Sequence, residues 1–199
     1  MARTKDPLLE EERRAHIAEA TIALLSEQPW KKVTLSAVAD RAGVSRGVVT
    51  YWFADKAALM LEALEYFHRG YAQKLVEMFR APAPIERRLN ELLDMVLPDT
   101  QTVSAEVRFQ VEIWSYAKQE PKVLEAVRTQ YKGFSTLCRG LLQAGASDGS
   151  FSPDAESYYP LIHALIDGIS LHLAFDPSID LESVKERLTA LIQLVFRRQ

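Results

Sequence analysis

Apolar residues recur along this 199-residue chain at three- and four-residue spacings and never in sustained alternation. The pattern predicts helices and no strands. A first helix is expected from about Leu9 to Glu27, with Ile17, Ala20, Thr21, Leu24 and Leu25 as its inner stripe. Leu35, Val38, Ala39 and Ala42 mark a second, short helix, and Ser45 to Phe53 a third. From Asp55 to about Arg80 no proline intervenes, and Leu59, Ala63, Phe67, Tyr71, Leu75 and Phe79 keep helical spacing. A helix of that length spans roughly 35–40 Å. The segment APAPIE is a break, and helices follow over about 85–97, 102–118 and 121–144. GASDGSFSPD is expected as a loop turning at Asp148-Gly149. A long apolar helix should then run from Pro153 to Phe175, with Pro160 marking a kink or the true start. A last helix covers about Leu181 to Phe196.

The stretch Thr34–Lys56 carries the strongest local signals. Thr34 can cap the second helix, because its hydroxyl accepts from an orphan amide. Gly43 stands where that helix must stop, in the left-handed geometry that glycine takes without strain. Ser45 caps the third helix, with Val44 and Val49 at the spacing of a hydrophobic staple. Ala39 is small where two helices must approach closely. This is the logic of a helix-turn-helix. With Val44, Val49 and Phe53 inward, Arg46, Gly47, Val48, Thr50 and Tyr51 point outward. That face suits a major groove: arginine can pair with guanine, valine can touch a thymine methyl, and hydroxyls can reach bases or phosphates. Asp55 caps the next helix. Lys56 at its first position opposes the macrodipole unless a phosphate sits there. The candidate DNA-contacting set is Thr34, Ser45, Arg46, Gly47, Val48, Thr50, Tyr51, Trp52 and Lys56.

The run Thr34, Val38-Ala39, Ala42-Gly43-Val44-Ser45, Gly47, Phe53, Lys56, Leu59 resembles the DNA-binding domain of the TetR family of one-component repressors. The likeness extends through helix one and covers roughly the first third of the chain. Two positions depart from the family: Thr50 stands where tyrosine is commonest, and Pro29 where glycine usually ends helix one. Proline cannot take positive φ, so helix one must end differently, with Trp30 expected to cover the core. The words LIHALIDGISLHLAF are similar to the C-terminal region of BetI-like members. The resemblance implies an all-α protein of about nine helices: a three-helix DNA-binding domain over residues 1–54 and a larger ligand-binding and dimerisation domain over 55–199. It also implies a homodimer through the last two helices, in a four-helix arrangement.

Composition changes little. The chain is 48% hydrophobic and 26% charged, as a globular protein is. No apolar run approaches a membrane span, and MARTKDPLLEEERR has no apolar core of a secretory signal, so a cytoplasmic protein is expected. A single cysteine, Cys138, leaves no internal disulfide. Residues 1–56 hold nine Lys/Arg against eight Asp/Glu, and the remainder fifteen against nineteen. DNA binding must therefore rest on placed cations, including the Arg13/Arg14 pair, rather than on a strong basic field. Arg3 and Lys5 in a loose arm are as well explained by solvation.

Phe67, Tyr71, Arg108, Trp114, Tyr131 and Phe134 are candidate effector contacts, since aromatic walls with a placed polar group suit a pocket or a caged cation. Each is individually as well explained by helix-bundle core. The helix 153–175 is apolar on two sides: Leu161, Leu165, Ile169 and His172 form one stripe, Ile162, Ile166 and Leu173 another. Gly168 would let a second subunit approach. No G-x-S-x-G, P-loop or G-x-G-x-x-G occurs, and the four histidines contain no H-x-x-x-H pair. Neither catalysis, a metal nor a cofactor is expected. The reading is a dimeric regulator on a palindromic double-stranded operator, relieved by an unknown small molecule. A repressor without a ligand, or a helical carrier or enzyme, is the alternative.

Overall fold

A computed structural model describes residues 7–80, 83–149, 151–176 and 178–196, and the backbone alone at 7–8, 85–86 and 195–196. Arg3, Lys5 and part of the APAPIE break lie outside the described residues. Among the described residues there are nine α-helices and no strand. They are α1 (Pro7–Glu27), α2 (Leu35–Ala42), α3 (Arg46–Trp52), α4 (Lys56–Arg80), α5 (Ile85–Val96), α6 (Thr100–Ala117), α7 (Pro121–Ser147), α8 (Tyr159–Phe175) and α9 (Leu181–Phe196). None is long and apolar enough to cross a membrane.

The chain forms two compact units, Met1–Gly70 with Arg108–Gln130, and Tyr71–Val107 with Tyr131–Gln199. In the first, α1 buries Ile17, Ala18, Ala20, Leu24 and Leu25. Its buried Thr21 returns its hydroxyl to the Ile17 carbonyl at 2.8 Å, so no polar group is stranded. Val38, Ala39, Val49, Phe53, Leu59 and Met60 join this core, together with Phe109 and Ile113 of α6. Helix one ends as the proline requires. Pro29 is extended (φ −56°, ψ 142°) and leads into a single 3₁₀ turn, Trp30–Lys32. Trp30 is half-buried there and packs on Tyr116 with ring centroids 4.7 Å apart.

The second unit is built around Leu89, Leu93, Leu97, Val103, Phe151, Leu173, Leu188 and Ile192. Two expectations change here. Helix α7 runs on to Ser147, and the backbone reverses at Gly149 (φ 83°). The following helix does not start at Pro153. A 3₁₀ turn, Ala155–Tyr158, comes first, and α8 begins at Tyr159 with Pro160 in its first turn. Proline lacks the amide and its ring clashes with the carbonyl four residues back, so an α-helix cannot run through from residue 156. Of the two stripes on α8, Leu173 is fully buried with Ile162 and Ile166 half-buried, whereas Leu161 and His172 of the other stripe are exposed.

Candidate nucleic-acid interface and effector site

The turn between α2 and α3 is specified bond by bond. The Ala37 amide donates to Thr34 Oγ1 at 3.1 Å, capping α2. Gly43 takes φ 63°; its amide donates to the Asp40 carbonyl at 3.2 Å and that of Val44 to Ala39 at 3.0 Å. This pair of bonds closes a helix in the Schellman manner and satisfies two orphan carbonyls. The Val48 amide donates to Ser45 Oγ at 3.4 Å. Val49 is fully buried and Val44 packs on the same core, which sets the angle at which α3 leaves α2.

Arg46, Gly47, Thr50 and Tyr51 are then exposed, Tyr51 to 64%, with its ring edge-on to Trp52 at 4.8 Å. Thr34 and Ser45 are exposed as well. Val48, expected outward, is instead half-buried against the core, as is Trp52. Residues 48 and 52 lie one turn apart, so they share the flank of α3 next to Val49. The open face is the row 46, 47, 50, 51. The Thr50 hydroxyl donates back to the Arg46 carbonyl at 3.1 Å, and its oxygen can still accept.

Three cations of this unit, Arg14, Arg41 and Lys56, are placed differently from Arg46. Arg14 pairs with the buried Glu62 and lies over Phe53 at 5.7 Å, so its charge supports the fold rather than reaching outward. Arg41 pairs with Glu27. The Ala58 amide donates to Asp55 Oδ1 at 2.8 Å, so Asp55 caps α4 as expected. The Lys56 ammonium turns back into the protein. It donates to the Trp30 carbonyl and stands 4.8 Å from the Trp30 ring, and burial holds its pKa below that of a free lysine.

The candidate effector residues divide between the units. Phe67, Arg108 and Trp114 belong to the first, where Phe67 meets Phe109 with centroids 5.0 Å apart and Arg108 and Trp114 are exposed. Tyr71, Tyr131 and Phe134 belong to the second. Tyr131 and Phe134 meet across His163, with centroids 5.9 and 6.0 Å from the imidazole. Tyr159 adds a third ring at 5.4 Å, and its hydroxyl is 3.1 Å from His163 Nδ1. Asp167 Oδ1 is 3.8 Å from His163 Nε2. Burial raises the Asp167 carboxyl, with His163 pulling the other way, and pushes the Tyr131 phenol up to about 12. Elsewhere in this unit Tyr71 donates to Glu106 Oε2 at 2.6 Å, and burial raises both groups.

Tyr159, His163, Asp167 and Glu106 were not among the effector contacts expected from the sequence. The first three recur every four residues, so their shared helix face was readable; that it turns toward Tyr131 and Phe134 was not. Glu106 had no signal, being one carboxylate among 27 acidic residues.

Comparison with known proteins agrees with this architecture. Residues 84–197 match the family described as BetI-type transcriptional repressor, C-terminal, and residues 17–63 match the bacterial regulatory proteins of the tetR family. The chain is 29% identical over 168 residues to the HTH-type transcriptional regulator BetI of Serratia proteamaculans, covering 81% of each chain. It is 25% identical over 173 residues to the regulator PksA of Bacillus subtilis, covering 84% of this chain and 81% of that one. A transcriptional regulator from Saccharomonospora viridis, crystallised in complex with choline, shares the fold with a TM-score of 0.77 at 22% identity, over 94% of this chain and all of the other.

Proposed function

Because the chain belongs to the TetR family of DNA-binding transcriptional repressors, with a BetI-type C-terminal region, we propose that it acts as a homodimer on a palindromic operator and is released by a small organic cation. The family is one of regulators, not enzymes. Residues 1–54 read DNA, and 55–199 bind effector and partner. The observation that carries the reading is the α3 face, held by two caps, a left-handed glycine and a buried staple, yet open at Arg46, Thr50 and Tyr51. That openness speaks against a helical carrier or enzyme. Thr34, Ser45 and Gly47 supply hydroxyls and bare backbone beside it for phosphate contacts. Such a protein works in the cytoplasm, where its operator is.

The dimer is supported by apolar side chains without cover in this chain: Leu161 at 68%, Phe175 at 83% and Leu194 at 74% exposure on α8 and α9. A side chain at Gly168 would meet nothing within 4 Å, so a partner helix has room there. A cationic effector is supported by the choline bound to the Saccharomonospora viridis regulator. In this chain Tyr131, Phe134 and Tyr159 offer π faces, and Asp167 and Glu106 offer carboxylates. An effector that prefers one tilt of α4 shifts the population and so the spacing of the two α3 helices, which two successive grooves require at roughly 34 Å.

The test is a footprint on the DNA upstream of the chain's own coding region, with choline titrated in. Expected are two protected half-sites one helical turn apart, lost as choline rises, and a dimer in sedimentation that Leu194→Glu dissociates. A footprint indifferent to choline would leave the DNA reading and remove the cationic effector. No footprint from a folded dimer would remove both.

A further inference from the structure

Lys56 is the first residue of α4 and follows α3 by four positions, so its stem is rooted beside the DNA-facing helix. Its ammonium is nevertheless docked inward. It donates to the Trp30 carbonyl and lies over two rings, Trp30 at 4.8 Å and Tyr116 at 6.0 Å. That site is itself assembled by α6. Glu112 Oε2 accepts the Trp30 amide at 2.8 Å, and Tyr116, one turn on, packs on the Trp30 ring. Four residues from three parts of the chain thus form one clasp. All lie in the first unit.

The docked lysine is poorly placed on every other count. Its positive charge sits at the N-terminal, positive end of α4. Its hydrogen-bond partner is a neutral carbonyl, and burial works against its charge. A phosphate at the same helix end would be a stronger partner than a carbonyl and two rings. A lysine stem is flexible enough to change partner without moving the backbone.

We propose that Trp30, Glu112 and Tyr116 hold Lys56 off the DNA, and that binding requires the amine to leave this clasp for a phosphate. The inference rests on the reading of α3 as the DNA-contacting helix. It adds a determinant of affinity that touches no DNA itself: Tyr116 and Glu112 are positioning residues acting through Lys56. An effector that steadies residues 112–116 of α6 keeps Lys56 docked and weakens binding, the sign that release requires.

The test measures binding of the full chain to a mixed-sequence duplex across a range of salt, because each phosphate engaged adds about 0.9 to the slope of log K against log salt. Tyr116→Leu should bind several-fold tighter with an unchanged slope, since the bound state engages the same phosphates, while Tyr116→Phe should match wild type. Lys56→Gln should bind with a shallower slope, and adding Tyr116→Leu to it should gain nothing. A Tyr116→Leu affinity no higher than wild type, or a gain that survives Lys56→Gln, would overturn the clasp. Should Tyr116→Leu fail to fold, 5-fluorotryptophan gives a second readout on the three tryptophans. The Trp30 fluorine resonance must move when duplex is added to wild type and stay still in Lys56→Gln; a Trp30 signal equally indifferent in both overturns the proposal. Wild-type protein that binds no duplex overturns the DNA reading itself, a result distinct from binding that Tyr116→Leu leaves no tighter.

Discussion

Gly43 and Gly145 are both glycines near a helix end, and they are there for opposite reasons. Gly43 has open space where a side chain would point, but its φ of 63° penalises any residue with a Cβ. Gly145 is helical, with ordinary φ, but a Cβ there would collide with the Phe151 ring. The first is a backbone requirement, legible in the short run AGVS. The second is a packing requirement, set when the chain reverses after Gly149 and the Phe151 amide returns to the Gly145 carbonyl at 2.9 Å. Local grammar governs the DNA-reading end, and mutual burial governs the second unit.

The contrast is sharpest if Phe151 is removed. Phe151 is fully buried, and Phe151→Ala should cost about 3–5 kcal/mol, measured by denaturant unfolding. Gly145→Ala alone should cost about 1–3 kcal/mol by overpacking and much less in the Phe151→Ala background. Additive losses in that double-mutant cycle would mean the ring is not what keeps position 145 bare. In the first unit, Arg46→Ala should leave stability unchanged and cost about 1–3 kcal/mol of binding at one base position, read by competition among operator variants. Gly43→Ala should cost about 1 kcal/mol of stability wherever a ring is or is not nearby, because the strain is in the backbone.

At neutral pH the smallest effect concerns Cys138. Burial pushes its thiol up to about 11, offset in part by a hydrogen bond with Tyr159. At pH 8 roughly one thiol in a thousand is then ionised, so alkylation of the folded chain should be far slower than of the unfolded chain. The folded thiol keeps its proton while an unfolded one, ionising near pH 8.5, loses it. Stability should therefore fall as pH rises from about 8.5 toward 11, by about 1.4 kcal/mol per pH unit relative to a Cys138→Ser control.

Much of the fold was legible because its signals are short-range. The caps Thr34, Ser45 and Asp55, the stop at Gly43 and the helix-breaking prolines act within four residues. What was misjudged involved partners farther away. Val48 was expected on the outer face, since residue type alone does not show which flank of α3 meets the core. Helix α7 was ended early because Gly145 was read as a loop residue without its distant ring. The inward docking of Lys56 was not foreseen, because nothing near it in the chain announces the carbonyl of Trp30, 26 residues back.

By itself, the order of residues determined the helices, the ends of α2 and α3 and most of the outward row that can meet DNA, since dihedral preference and apolar period are properties of neighbours. Only the folded chain decided which cations remain outward, which rings surround His163, and that α6 comes to hold the turn at Trp30. Those depend on close packing between segments dozens of residues apart, and side-chain burial there outweighs any local preference.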